Sequence, residues 1–137
     1  MNWFDDIRKM HDHFKVHSTI KNMDNSTLRR LLDFRLSMIR EELDETDEAF
    51  INSDPEEVVD GIIDLLVFAI GTLEIFGVDA EKAWNEVYKA NIVKTPGVKE
   101  SRPNPFGFPD LIKPEGWRAP SHKGNHGILN EVLKGEK

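Results

Sequence analysis

The 137-residue chain is 39% hydrophobic and 31% charged, has no cysteine and carries a formal charge of −7. That length fits one domain with its own core. The absence of cysteine excludes a disulfide scaffold and any Cys-ligated zinc or iron–sulfur centre, and the acidity argues against a nucleic-acid-binding surface.

The N-terminus is charged throughout and has no apolar signal core. The longest apolar stretch, Ile62 to Gly71, contains Asp64 and is too short to span a bilayer. No membrane partner is expected, and the expected location is the cytoplasm, or a host's cytoplasm for a viral chain. The charge is unevenly placed. Glu41 to Glu81 holds fourteen acidic residues and no Lys or Arg, whereas Lys89 to Lys137 holds nine basic and five acidic residues. Such an acidic run is ordinarily a solvated helix face or a tail, so the reading turns on where the carboxylates fall.

In chain order, Trp3, Phe4, Ile7, Met10 and Phe14 predict a short helix over residues 2–16. Asn25 and Ser26 are candidate caps for a second helix over about 27–50, whose apolar stripe is Leu28, Leu31, Leu32, Met38, Ile39 and Leu43. Asn52-Ser53-Asp54-Pro55 reads as a loop, an N-cap and a proline at the first helical position. The third helix, over about 55–76, is apolar on nearly all sides, which predicts a central, buried element. Gly77 is its expected C-cap. Asp79 is the expected cap of a fourth helix running to about Ile92, with Ala83, Trp84, Val87 and Tyr88 inward. No stretch alternates long enough to be a convincing strand. Six of the seven prolines fall between Pro96 and Pro120, which predicts an extended segment draped on the body by Phe106, Phe108 and Trp117. A last short helix is expected over 128–133.

The expected fold class is therefore all-α: a small bundle of about four helices with an extended Pro-rich C-terminal segment. A helical catalytic part (1–95) and a draped tail (96–137) would make a single domain. The all-round apolar third helix predicts completion by oligomerisation, as a homodimer or homotetramer of closed symmetry.

Helix two carries Glu41, Glu42 and Glu45, whose i, i+3 and i, i+4 spacing converges on one side. Helix three carries Glu57, Asp60 and Asp64 on one face. An unpaired carboxylate inside an apolar helix costs several kcal/mol or takes a strongly raised pKa, and no Lys or Arg is near in sequence. Two facing sets of carboxylates can instead share divalent cations, and oxygen-only ligands suit Mg²⁺ or Mn²⁺. Bundle interiors are a known setting for such sites. Glu42, Glu45, Glu57 and Asp60 are the candidate metal ligands; Asp44 and Asp47 read as a wet face. Asp64 is read either with this group or as a core carboxylate bonded to another helix. A di-iron centre is disfavoured because neither acidic helix supplies the paired histidines. His11, His13, His17, His122 and His126 are expected at the surface, since no acidic partner is placed beside them, and Trp84 is expected in the core.

Glu41-Glu42-x-x-Glu45 followed by Glu57-x-x-Asp60 resembles the signature of MazG-like all-α nucleotide pyrophosphohydrolases. Glu57-Val-Val-Asp60-Gly-Ile-Ile-Asp64-Leu-Leu-Val-Phe is similar to the branch related to phosphoribosyl-ATP pyrophosphohydrolase, as are Gly71 to Asp79, Asn91-Ile-Val-Lys94 and, loosely, Lys113-Pro-Glu-Gly-Trp117-Arg-Ala-Pro120. The resemblance spans roughly Asp5 to Pro120; a short linker between the acidic sets and the segments Asn104 to Asp110 and His122 to Lys137 depart from it. It implies hydrolysis of a nucleoside triphosphate to the monophosphate and pyrophosphate, dependence on Mg²⁺ or Mn²⁺, and dimers or tetramers. Under it, Glu41 is the candidate general base (or a ligand to a second metal), and Asp64, Asn91 and Lys94 are candidate substrate-binding residues. His11, Lys15 and Lys21 lie on the segment that the family keeps near the nucleotide. Substrate readings are a (deoxy)nucleoside triphosphate, dGTP or dGDP as in phage-type enzymes, or phosphoribosyl-ATP. The non-enzymatic reading is an acidic helical interaction module.

Overall fold

The computed structural model describes residues 1–102 and 105–134, so Pro103, Asn104 and the last three residues of the predicted tail lie outside the described residues. Six helices and one short hairpin are present among them: α1 (Trp3–His13), α2 (Val16–Ile20), α3 (Asn25–Ile51), α4 (Pro55–Ile75), α5 (Ala80–Ile92), β1 (Thr95–Gly97), β2 (Asp110–Ile112) and α6 (Leu129–Leu133). The fold class is all-α, as the periodicity predicts. The chain divides into two compact units, one of residues 1–80 with 125 onward, the other of residues 81–124.

In the first unit, Asn2 caps α1 by accepting from Phe4 N at 3.0 Å and Asp5 N at 3.2 Å. The predicted first helix is broken: Lys15 takes a left-handed φ of 56°, and α2 starts afresh after it. The cap of α3 is Asp24 rather than Asn25 or Ser26, its Oδ1 accepting from Thr27 N at 2.8 Å. Asp54 caps α4 and Pro55 opens it, as the sequence predicts. Gly77, with φ +76°, supplies the left-handed residue after α4.

The helices α3 and α4 form the main pair and run antiparallel: Arg35 reaches Phe68 and Thr72, while Thr46, further along α3, meets Gly61, earlier on α4. Gly61 is buried because a Cβ there would fall on Thr46 Oγ1. The core below this pair is Leu28, Ile75, Phe76 and Val132, with Val16, Ile20, Met23, Leu31, Leu32 and Leu129 packed around it. Phe76 is fully buried. Asn125 ties the returning chain to the end of α4, accepting from Asp79 N at 2.8 Å and donating to Asp79 O at 2.9 Å. Ile128 N donates to Phe76 O at 2.9 Å.

Two burial expectations are corrected. Within one chain α4 is not covered all round: Val59, Ile62 and Ile63 are 64%, 49% and 45% exposed. Uniform apolarity reports what a helix prefers, and the described residues of its own chain leave this face uncovered. Trp84, Val87 and Tyr88 are also exposed rather than inward. In the second unit Ala90 is buried and Glu86 half-buried on the side of α5 that borders residues 114–121, and Trp84 and Tyr88 lie on another side of the helix.

The second unit also holds the strands that were not expected. They pair antiparallel with Thr95 opposite Ile112 and Gly97 opposite Asp110, and three residues each are too few to show a period. Buried Asp110 accepts from Lys99 N at 2.7 Å and pairs with Arg102 at 3.7 Å. Trp117 is the aromatic that seats this segment, donating from Nε1 to Ala90 O at 2.7 Å; Phe106 and Phe108, expected to help, are exposed. No single helix among the described residues is long and apolar enough to cross a membrane.

Candidate active site

The acidic residues of α3 and α4 face one another across the helix pair. Partial desolvation, followed by the charges of Glu45, Asp64 and Glu41 and a hydrogen bond with Glu45, raises Glu42 above the ordinary carboxylate range. Desolvation, then the charge of Asp60 and a hydrogen bond with it, raises Asp64. Glu42 thus stands against Glu45 and Glu41 on its own helix and feels Asp64 across the helices, and Asp64 stands against Asp60. Asp64 stands with the acidic group through Asp60 and Glu42. Asp60 is exposed and Asp64 half-buried, and partial desolvation first, with the crowding of like charges second, perturbs Glu42 and Asp64.

Glu41 is exposed, one residue from Glu42 and close enough to act on it. Glu57 is exposed in the first turn of α4, one turn before Asp60, its backbone N–H donating to Asp54. An oxygen-only set of crowded carboxylates fits a hard divalent cation.

Asn91 and Lys94 belong to the second unit. The helix ends at Ile92, so Lys94 lies just past it and not on a shared helical face, its backbone N–H donating to Asn91 O at 3.1 Å. The Lys94 and Lys113 ammonium groups stand 5.1 and 5.0 Å from the Trp117 ring centroid, a doubly cationic place on one indole.

Sequence reasoning missed two features of the first unit. Arg35 donates to Thr72 Oγ1 at 3.1 Å and to Phe68 O at 3.2 Å, and lies 5.0 Å over the Phe68 ring; burial lowers its pKa. The signal was there, since Arg35 interrupts the stripe Leu28, Leu31, Leu32, Met38. With His11, Phe14, Phe34 and Phe68 it lines a pocket of about 480 Å³. The second is a correction to the surface histidines. His11 is buried and His17 half-exposed, and both meet Glu74. Burial works to raise Glu74, but hydrogen bonds from both imidazoles and their charge outweigh it and hold the carboxyl below its ordinary value. The acidic partner that sequence distance hid is thus supplied by α4. His13 is exposed, as expected.

An all-helical chain whose two longest helices set carboxylates face to face has the layout of a metal-assisted hydrolase of the bundle type. The family model of phosphoribosyl-ATP pyrophosphohydrolase matches residues 7–91, and the chain belongs to that family, whose activity makes it a nucleotide pyrophosphohydrolase. The match takes in every acidic site residue and Asn91 and stops before Lys94. Enzymes of this kind typically use divalent metals. No curated protein matches the chain.

Proposed function

We propose that the chain cleaves the α–β phosphoanhydride of a (deoxy)nucleoside triphosphate, releasing the monophosphate and pyrophosphate, with Mg²⁺ or Mn²⁺ held by Glu42, Glu45, Glu57 and Asp60. The observation that carries this reading is the crowding of Glu42 against Glu41 and Glu45 and of Asp64 against Asp60, with Asp64 acting on Glu42 across the antiparallel helices. The cation, when bound, offsets the charge of the triphosphate and acidifies a water. Glu41, exposed beside Glu42, accepts the proton of the attacking water. Asp64 completes the negative rim that fixes the cation's side of the substrate. Lys94 supplies a point charge for a phosphate, with Asn91 as a neutral donor; the Lys94 and Lys113 ammonium groups over Trp117 support a place of positive charge.

Phosphoribosyl-ATP is the second substrate reading, supported by the name of the matching family. A homodimer or homotetramer is supported by the exposed apolar face Val59, Ile62 and Ile63, which a second copy can cover. The test is a panel of canonical and modified (deoxy)nucleoside triphosphates, dGDP and phosphoribosyl-ATP with Mg²⁺ and Mn²⁺, with the products identified. Pyrophosphate from a triphosphate supports the first reading, and selective turnover of phosphoribosyl-ATP moves the account to the second. No hydrolysis of any nucleotide with either ion overturns both.

A further inference from the structure

His11, His17 and Glu74 come from three helices, α1, α2 and α4. Glu74 lies roughly 15 Å along α4 from Asp64, at 1.5 Å per residue, so this group is separate from the acidic set. His11 Nδ1 is 2.7 Å from Glu74 Oε2, and His17 Nε2 is 2.7 and 2.9 Å from Oε1 and Oε2. One ligand atom from each residue falls within 4.8 Å of the others, the one such trio among the described residues.

The donor set is different in kind from that of the acidic site. Two imidazole nitrogens and one carboxylate suit zinc-class cations, bound at about 2.0–2.2 Å with a water in the fourth position, and not Mg²⁺. Ligands at those lengths stand roughly 3.3 Å apart around a tetrahedral ion, so each imidazole nitrogen needs to draw back from the carboxylate by only roughly 0.6 Å. Both imidazoles converge on the one carboxylate, His17 Nε2 reaching both of its oxygens. A Cβ at Gly71 would stand 2.6 Å from Arg35 Nη2 and 3.3 Å from His11 Nε2, so glycine there makes room for Arg35 first and for the His11 ring beside it. Burial is graded in the same sense: the His11 side chain is 8% exposed, Glu74 16% and His17 44%, which closes the site on the protein side and leaves water access on the other. The helix α2 is five residues long and has no side-chain cap; Val16 and Ile20 pack it on the core, and His17 adds a polar tie to α4.

We propose that His11, His17 and Glu74 bind one zinc-class divalent cation that clamps α1 and α2 onto the C-terminal end of α4. The proposal goes beyond the hydrolytic reading and does not depend on it.

The test uses the full chain, stripped with chelator and titrated with Co²⁺ as a spectroscopic stand-in for Zn²⁺. The expected result is the intense visible absorption of four-coordinate Co²⁺, saturating at one ion per chain, bleached by Zn²⁺ and not by Mg²⁺. His17→Ala, at a half-exposed position, and Glu74→Gln should weaken Co²⁺ by more than the roughly 10–100-fold that losing an outer-shell partner costs. His13→Ala and Asp60→Asn should leave the spectrum unchanged. A spectrum of six-coordinate Co²⁺ only, or a His17→Ala chain that binds Co²⁺ as wild type does, overturns the proposal and leaves a hydrogen-bonded triad. Loss of the spectrum in Asp60→Asn would place the ion at the acidic set and overturn it equally.

Discussion

Gly61→Ala tests how closely the two acidic helices approach. Propensity alone favours alanine in a helix interior by about 1 kcal/mol. The structure reverses that sign. The added methyl would fall on Thr46 Oγ1 and stand 3.2 Å from Thr46 Cβ and 3.5 Å from its Cα. The hydroxyl cannot swing away freely, since it donates to Glu42 O at 2.7 Å, a bond worth about 1 kcal/mol net. Thr46 Cα at 3.5 Å is in ordinary contact and its Cβ at 3.2 Å is only slightly tight, so the hydroxyl is the main obstruction and must give up its bond or push α3 from α4. Overpacking of this kind costs about 1–3 kcal/mol. Set against the propensity gain, the net change is about 0–2 kcal/mol of destabilisation, or up to roughly 8 °C in Tm for a chain of this length. The strain falls between Glu42 and Glu45 on one helix and Asp60 and Asp64 on the other, so the response to Mn²⁺ should weaken as well. Urea unfolding with and without Mn²⁺ measures both. In a Thr46→Ala background the obstructing oxygen is gone, and Gly61→Ala should cost much less, with a coupling of about 0.5–3 kcal/mol between the sites. A Gly61→Ala chain that is more stable by the full propensity increment, with an unchanged Mn²⁺ response, would refute the close approach.

The remaining expectations concern charge, catalysis and assembly. The pKa values of Glu42 and Asp64 are raised in the folded chain, so their contribution is complete below the unfolded values near 4 and is lost as pH rises through the folded ones. In chelator, Glu42→Gln should therefore raise stability at pH 7 by up to about 1 kcal/mol, the scale of exposed charge pairs, with the gain vanishing near pH 4; a loss at pH 7 would contradict the repulsion. Glu74 is lowered, so its share is present above 4.5 and lost as pH falls further, and Glu74→Gln should flatten the acid limb of the same profile. Glu41→Gln should keep Mn²⁺ and nucleotide binding while turnover falls about 10²–10⁴-fold, whereas loss of Mn²⁺ affinity would make Glu41 a ligand. Light scattering should show a dimer or tetramer at micromolar concentration, and Ile62→Glu should shift it toward monomer; a wild-type monomer would leave the exposed face of α4 unexplained by self-association.

The long helices were legible because their signals are local. Asp54-Pro55 fixes the start of α4 by a cap and a preset φ, and the i, i+3 and i, i+4 spacing of Glu42, Glu45, Asp60 and Asp64 places them on facing stripes once the connection is short enough to force an antiparallel pair. What was not legible depends on distance in sequence or on brevity. His11 and His17 meet Glu74 across 63 and 57 residues, and an isolated Glu in an apolar helix gives no hint of which imidazoles it will meet. The break at Lys15 is one left-handed residue in an otherwise helical pattern. The strand Thr95–Gly97 contains a proline and is too short for alternation. Val59, Ile62, Ile63 and Trp84 show a different limit: apolar patterning states which side chains favour burial, not which partner provides it.

The most direct test of the central claim is Mn²⁺ binding, followed by electron paramagnetic resonance, measured beside nucleotide hydrolysis in wild type, Glu45→Gln and Asp60→Asn. The account predicts that wild type binds Mn²⁺ and releases pyrophosphate only when it does, and that both variants lose affinity and turnover together. Asp60→Asn that binds Mn²⁺ as tightly as wild type, or that hydrolyses nucleotide at the wild-type rate, would contradict the assignment of the facing carboxylates as the catalytic cation's site.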